Sequence, residues 1–132
     1  MKGLLFITLT LSCAAVNAQV YKCPQFHPDN NHSDAPLTGA RIMWGEKHGN
    51  GWLAGADSKR VKGGIDTQYD FGDHGWLVCL YDFRKPSERK RPEDAEWWIQ
   101  LDPEVTRCNL QERHVKSGNA DNSAASVTAL CK

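Results

Sequence analysis

Five histidines and a scatter of carboxylates are where this chain has chemistry to offer. The stretch "HPDNNH" sets His27, Asp29 and His32 in one polar segment. Imidazole and carboxylate donors at that spacing suit a surface site for a divalent ion, but they match no defined ligand set. Beside proline and asparagine, the same residue types build ordinary turns. The turn reading is preferred, and no metal is expected. "DFGDHGW" puts Asp73 next to His74, where adjacent side chains diverge, so the aspartate is poorly placed to orient the imidazole as a general base. His48 and His114 stand alone in glycine-rich or charged surroundings. Nucleophilic catalysis lacks its parts, since no G-x-S-x-G elbow occurs. Asp66, Asp70, Asp73 and Glu96 are the pool for a glycosidase pair, if the fold brings two of them together. With no named catalytic arrangement present, a small hydrolase ranks behind the binding readings, and no cofactor is expected.

Tryptophan is the richer signal. In "WWIQLD" alternation puts Trp97 with Ile99 and Leu101 on one face, and Trp98 with Gln100 and Asp102 on the other. Trp44, Trp76 and Trp97 fall on apolar faces and read as core. Trp98, and Trp52 in a glycine-rich stretch, are the candidates for a binding surface, because exposed tryptophans anchor protein interfaces and stack on sugars. The competing reading packs Trp98 under a loop or against a second sheet. "RKPSERKRPEDAE" runs from Arg84 to Glu96 and carries Arg84, Lys85, Arg89, Lys90 and Arg91 before turning acidic. The plain reading is a solvated hairpin loop that keeps an edge soluble, and the functional one is a recognition loop for an anionic protein surface. Nucleic acid is disfavoured, since no aromatics interleave the basic residues and acidic ones follow.

The chain opens "MKGLLFITLTLSCAAVNAQ", with Lys2 followed by a short apolar run and the small-residue tripeptide Val16-Asn17-Ala18. That three-part pattern reads as a secretory signal over 1–18, cleaved before Gln19. A lipoprotein signal at Cys13 is the alternative, and Thr10 fits it poorly. Residues 19–132 then form one domain of 114 residues. Losing Lys2 moves the formal charge from zero to −1, which favours neither nucleic acid nor an anionic membrane. No second long apolar segment follows, so stable membrane insertion is not expected, and oligomeric state is not legible.

Four cysteines remain, Cys23, Cys79, Cys108 and Cys131, none in a C-x-x-C pair. An even count in a small exported domain reads as two disulfides, formed in the periplasm or outside the cell. If residues 105–115 and 124–131 form a hairpin across "KSGNADNSA", Cys108 faces Cys131, which leaves Cys23 for Cys79.

The elements that must position these residues are strands. "VYKC" is short and stopped by Pro24, and "LTGARIMWG" follows a polar loop with Ala40, Ile42 and Trp44 on one face. The glycine-crowded segment after Gly45 reads as turns with one short strand near Trp52 or Val61. "GIDTQYDFG" alternates, with Ile65, Thr67, Tyr69 and Phe71 on one side. "GWLVCLYDF" is apolar on both faces, as a central strand covered on both sides would be. With "WWIQLD", "VTRCNLQERHV" and "AASVTALC", these predict an all-β domain of about seven short strands, a single antiparallel sandwich or barrel stabilised by two disulfides. A short helix over 92–96 is the one alternative element.

"YKCP" near the start, "GWLVCLYD" in mid-chain and "LDPEVTRCNL…VTALC" at the end carry a resemblance. In that order they resemble a family of small, uncharacterised exported bacterial proteins with a C-P, a W-x-x-C-x-Y strand and two closing cysteines. Cys23, Pro24, Trp76, Cys79, Tyr81, Cys108 and Cys131 are the matching positions, and the charged stretch after Phe83 departs from the pattern. "TGARI", with Arg41, is similar to the S-G-x-R-Y loop of periplasmic lysozyme inhibitors but lacks the serine and the tyrosine. The first resemblance implies the compartment and the disulfides but no chemistry; size, compartment and the missing catalytic motif, taken with both resemblances, point to an exported, non-catalytic binding protein. Its expected form is an inhibitor or immunity-type protein whose partner is a secreted enzyme or toxin. A carbohydrate or envelope-polymer binding module is the alternative.

Overall fold

The computed structural model describes residues 18–29, 35–48, 57–72, 74–82, 95–114 and 124–132. Eight strands are present among them: β1 (Gln19–Lys22), β2 (Leu37–Trp44), β3 (Asp57–Val61), β4 (Gly64–Asp70), β5 (Gly75–Tyr81), β6 (Glu96–Gln100), β7 (Arg107–His114) and β8 (Ala124–Cys131). They form two antiparallel sheets, a five-stranded one in the order β1-β8-β7-β4-β3 and a three-stranded one in the order β2-β5-β6. The eighth strand, beyond the seven expected, comes from the glycine-rich segment, whose strand is β3 ending at Val61. No α-helix occurs among the described residues. None of their helices is long and apolar enough to cross a membrane.

The alternation read from sequence sets the faces. On β4, Thr67 and Tyr69 are buried while Gln68 and Asp70 are exposed, so this strand has one face in the core and one in water. β5 differs, because Leu77, Val78 and Cys79 are all fully buried in succession. As the centre of its sheet, β5 is covered on both sides, as its continuous apolar run predicts. The core between the sheets gathers Leu37, Ile42, Leu77, Leu101, Leu110 and Val127 around both disulfides.

Those disulfides are Cys23–Cys79 and Cys108–Cys131. The β7–β8 register sets Cys108 directly opposite Cys131, as the spacing about the intervening loop predicts. Cys23 follows β1 in the five-stranded sheet and Cys79 lies on β5 of the other, so their bond ties one layer to the other. Between β1 and β2 the chain folds back on itself, with Leu37 N–H donating to Gln25 at 2.9 Å and His27 N–H to Ala35 at 3.0 Å. That return carries His27 inside, where it is buried.

Candidate functional site

The three-stranded sheet turns Arg41, Glu96 and Trp98 to its outer face. Across it, Arg41 on β2 pairs in register with Val78 on β5, and Val78 with Trp98 on β6. The three residues form one row, and they point the same way because cross-strand neighbours share a face. Glu96, two residues before Trp98, shares that face. Its carboxylate pairs with the Arg41 guanidinium through one oxygen and accepts the Trp98 indole N–H through the other, at 2.8 Å. The Glu96 side chain is only 15% exposed and that of Arg41 27%, so the charge pair is partly shielded from water. One carboxylate thus fixes both a cation and an aromatic ring on a sheet surface.

Two further rings complete the cluster. Trp76 meets Trp98 edge-on, with centroids 5.8 Å apart, and His48 lies tilted against it at 4.9 Å. Trp76 is anchored by its indole N–H, which donates to the Gly45 carbonyl at 2.9 Å. His48 and His74 both hold left-handed backbone, φ 59° and 60°, in the turns flanking β2 and β5. Gly45 N–H donates to the His74 carbonyl at 2.9 Å and so joins those turns. His74 therefore has a place in turn geometry.

Beneath the sheet, the Glu96 backbone is tied to His27. Asp29 N–H donates to His27 Nδ1 at 3.1 Å, so the ring proton sits on Nε2, which donates to the Glu96 carbonyl at 3.3 Å. Tyr81 and Trp97 pack edge-on against the same ring, at 5.0 and 5.9 Å. The reading of His27 as an ordinary turn residue needs correction, since it is a buried bridge between the β1–β2 segment and β6. Among the described residues no group of three or more His, Cys, Asp and Glu is arranged to hold a metal ion.

The tryptophans read as core need a second correction. Trp44 is 44% and Trp97 39% exposed, while Trp76 lies half-buried on the outer face. Trp97 does share its face with Ile99 and the buried Leu101, but it sits at the rim of the sheet. Trp98, assigned to the polar face, is half-buried within the aromatic cluster. Trp52, Arg84, Lys85, Arg89, Lys90 and Arg91 lie outside the described residues, as do His32 and Asp73.

Among the described residues of that carboxylate pool, Asp66, Asp70 and Glu96, none is paired with another. Asp66 pairs with Arg113 and Asp70 with Arg107, each at 2.6 Å, both on the outer face of the five-stranded sheet, and Glu96 is on the other sheet. All four cysteines of the domain are oxidised. Two residues have work that the sequence reading did not assign, Trp76 having been read as core and Glu112 not singled out. Trp76 braces Trp98, and Glu112 on β7 accepts the Ala40 N–H at 3.2 Å, covering an otherwise open amide on the edge of β2. Burial and then the Glu112 charge raise the Tyr69 hydroxyl above its ordinary pKa, against a smaller opposing pull from Arg41. The signal for Glu96 was available, since a residue two before Trp98 on a strand must share its face.

Compared with family models, with curated proteins and with solved structures, the chain finds no match in any of the three. The two disulfides accord with an oxidising compartment.

Proposed function

We propose that this is an exported, non-catalytic binding protein, an inhibitor or immunity-type protein that neutralises a secreted enzyme such as a cell-wall hydrolase in the periplasm or outside the cell. The observation that carries this reading is the Arg41–Glu96–Trp98 cluster. Arginine and tryptophan are the residue types that dominate protein interfaces, and here both are immobilised before any partner arrives. Holding such side chains in place lowers the ordering cost of association. The leader sequence and the two disulfides support the compartment, and the basic residues between Arg84 and Arg91 supply charge for steering toward an acidic enzyme surface.

The test is inhibition of purified cell-wall hydrolases, together with capture of partners from periplasmic extract. A partner bound tightly by the native protein and weakened roughly tenfold or more by Trp98→Ala or Arg41→Ala fits a contact-centre role. Charge reversal at Arg89, Lys90 and Arg91 should mainly slow association, and the effect should shrink with added salt. Failure to inhibit any hydrolase, with no periplasmic partner recovered, overturns the reading.

The exposed indoles of Trp44 and Trp97 favour a second reading, a module for carbohydrate or envelope polymers. Trp98 suits sugar stacking less well, because Trp76 and His48 already pack against its ring. Glycan binding that is lost in Trp97→Ala or Trp52→Ala, yet survives Arg41→Ala, selects this module over the inhibitor.

A further inference from the structure

β1 opens at Gln19, the residue that follows the Val16-Asn17-Ala18 cleavage tripeptide. We propose that, once the leader is removed, Gln19 closes to pyroglutamate, and that the Tyr21 hydroxyl is the positioning group for this closure. The inference rests on the export reading, because only cleavage after Ala18 frees the amine that reacts.

The chemistry is self-contained. A free α-amine titrates at about 7.7–8.0, so part of it is neutral near neutral pH. The neutral nitrogen adds to Gln19 Cδ, an N–Cδ bond forms, the Cδ–Nε2 bond breaks, and the side-chain nitrogen leaves as ammonia with a proton from the amine. No oxidant or co-substrate is needed, and the product is a five-membered lactam.

Two features of the fold suit this residue to the step. Tyr21 O–H donates to Gln19 Oε1 at 2.5 Å, the oxygen on which negative charge grows as the amine adds. Tyr21 is itself held, since its oxygen accepts the Asp102 N–H at 3.0 Å. The leaving nitrogen takes no part in the Tyr21 bond. The second feature is the strand pairing. Cys23 N–H donates to Val127 at 3.1 Å, and counting back along the antiparallel ladder puts Gln19, opposite Cys131, at a hydrogen-bonded position. Ring closure turns the lactam N–H away from the ladder, but the Gln19 carbonyl still faces Cys131, so half of that pairing survives while the charge of the terminal ammonium disappears. The closed terminus is then without the free amine that aminopeptidases require.

Intact-mass spectrometry of the exported protein, with sequencing of its tryptic N-terminal peptide, tests the proposal. The expected result is a chain that starts at Gln19 and is lighter than the open form by one ammonia. A chain that starts at Gln19 and keeps its free amine through prolonged incubation at neutral pH overturns the closure while leaving the export reading intact. A start at any other residue overturns the closure together with the cleavage position, and the mass tells the cases apart. Tyr21→Phe should slow closure, followed by mass against time, by on the order of tenfold. As a check that does not depend on how that variant folds, the native chain should close faster folded than in urea with its disulfides intact. Equal rates overturn the role given to Tyr21.

Discussion

Glu96 serves three groups from one strand position: the Arg41 guanidinium, the Trp98 indole and, through its carbonyl, the His27 ring. Replacing it with alanine removes one carboxylate from a partly shielded arginine and from an indole N–H together. Hydrogen bonds to charged groups are worth about 1.5–3 kcal/mol, and the remaining exposure of Arg41 trims the expected loss to about 1–2 kcal/mol. Urea unfolding of Glu96→Ala should read that loss, with tryptophan emission shifted to the red in the folded state as Trp98 is released. Tyr81 gives a prediction in pH. Its hydroxyl donates to the Pro24 carbonyl at 2.7 Å, and burial raises its pKa well above the ordinary value of 10.0. The sign follows from proton binding. The folded state holds the phenolic proton more tightly than the unfolded chain, so the contribution to stability is complete below about pH 10 and is lost as pH climbs through the raised folded value. Tyr81→Phe should flatten this alkaline loss in denaturation curves taken from pH 8 upward, at a cost of about 0.5–1.5 kcal/mol at neutral pH for the missing hydrogen bond.

The β3–β4 hairpin turns through Lys62 and Gly63, with Gly63 at φ 78°, a conformation that glycine adopts without strain. Gly64, beside it, is constrained by space. A Cβ there would lie 1.8 Å from the Glu112 carbonyl oxygen on β7, so Gly64→Ala must push β4 off its neighbour. The expected destabilisation is about 1–3 kcal/mol or more, with thermal unfolding as the measurement. The disulfides act between elements as well. With 56 and 23 residues of separation, the chain-entropy account assigns about 4 kcal/mol to Cys23–Cys79 and about 3.4 kcal/mol to Cys108–Cys131. Replacing Cys23 and Cys79 with alanine should therefore lower the melting temperature more than replacing Cys108 and Cys131. The inter-sheet position of the first bond adds to the difference. Both pairings were legible in the sequence, because a hairpin about one loop sets Cys108 against Cys131 and leaves no choice for the rest. The strands were legible too, through alternation in "GIDTQYDFG" and unbroken apolarity in "GWLVCLY". Burial at Trp44 and Trp97 was not, because periodicity reports which face a residue takes and says nothing of its distance from a strand end or a sheet rim. The Arg41–Glu96 pair was equally hidden. It joins residues 55 apart across β5, and that contact exists only because the three-stranded sheet runs β2-β5-β6.

At the scale of the molecule, the two sheets present unlike outer surfaces. The five-stranded sheet shows Gln68 and Asn109 among the Asp66–Arg113 and Asp70–Arg107 pairs, with exposed Val20 and Leu130 paired at its β1–β8 end, and its edge strand β3 carries exposed Lys59 and Arg60, which discourage edge-to-edge pairing. The three-stranded sheet carries the aromatic and arginine row. The two disulfides divide the chain into successive loops that do not interleave, 23 to 79 and then 108 to 131. This layout has a mechanical consequence. Gln19 lies opposite Cys131, so a pull on the two ends of the domain peels β1 from β8 one residue pair at a time, the weak direction for a sheet. The peel soon reaches covalent stops, and residues 24–78 and 109–130 stay locked behind them. Only the short strand ends and residues 80–107 can lengthen, roughly a hundred ångströms of fully extended chain. In a force-extension measurement the oxidised domain should release about that length and no more, while a reducing agent should free the rest. A domain wired in this way keeps most of its chain from being drawn out even after its sheets have parted.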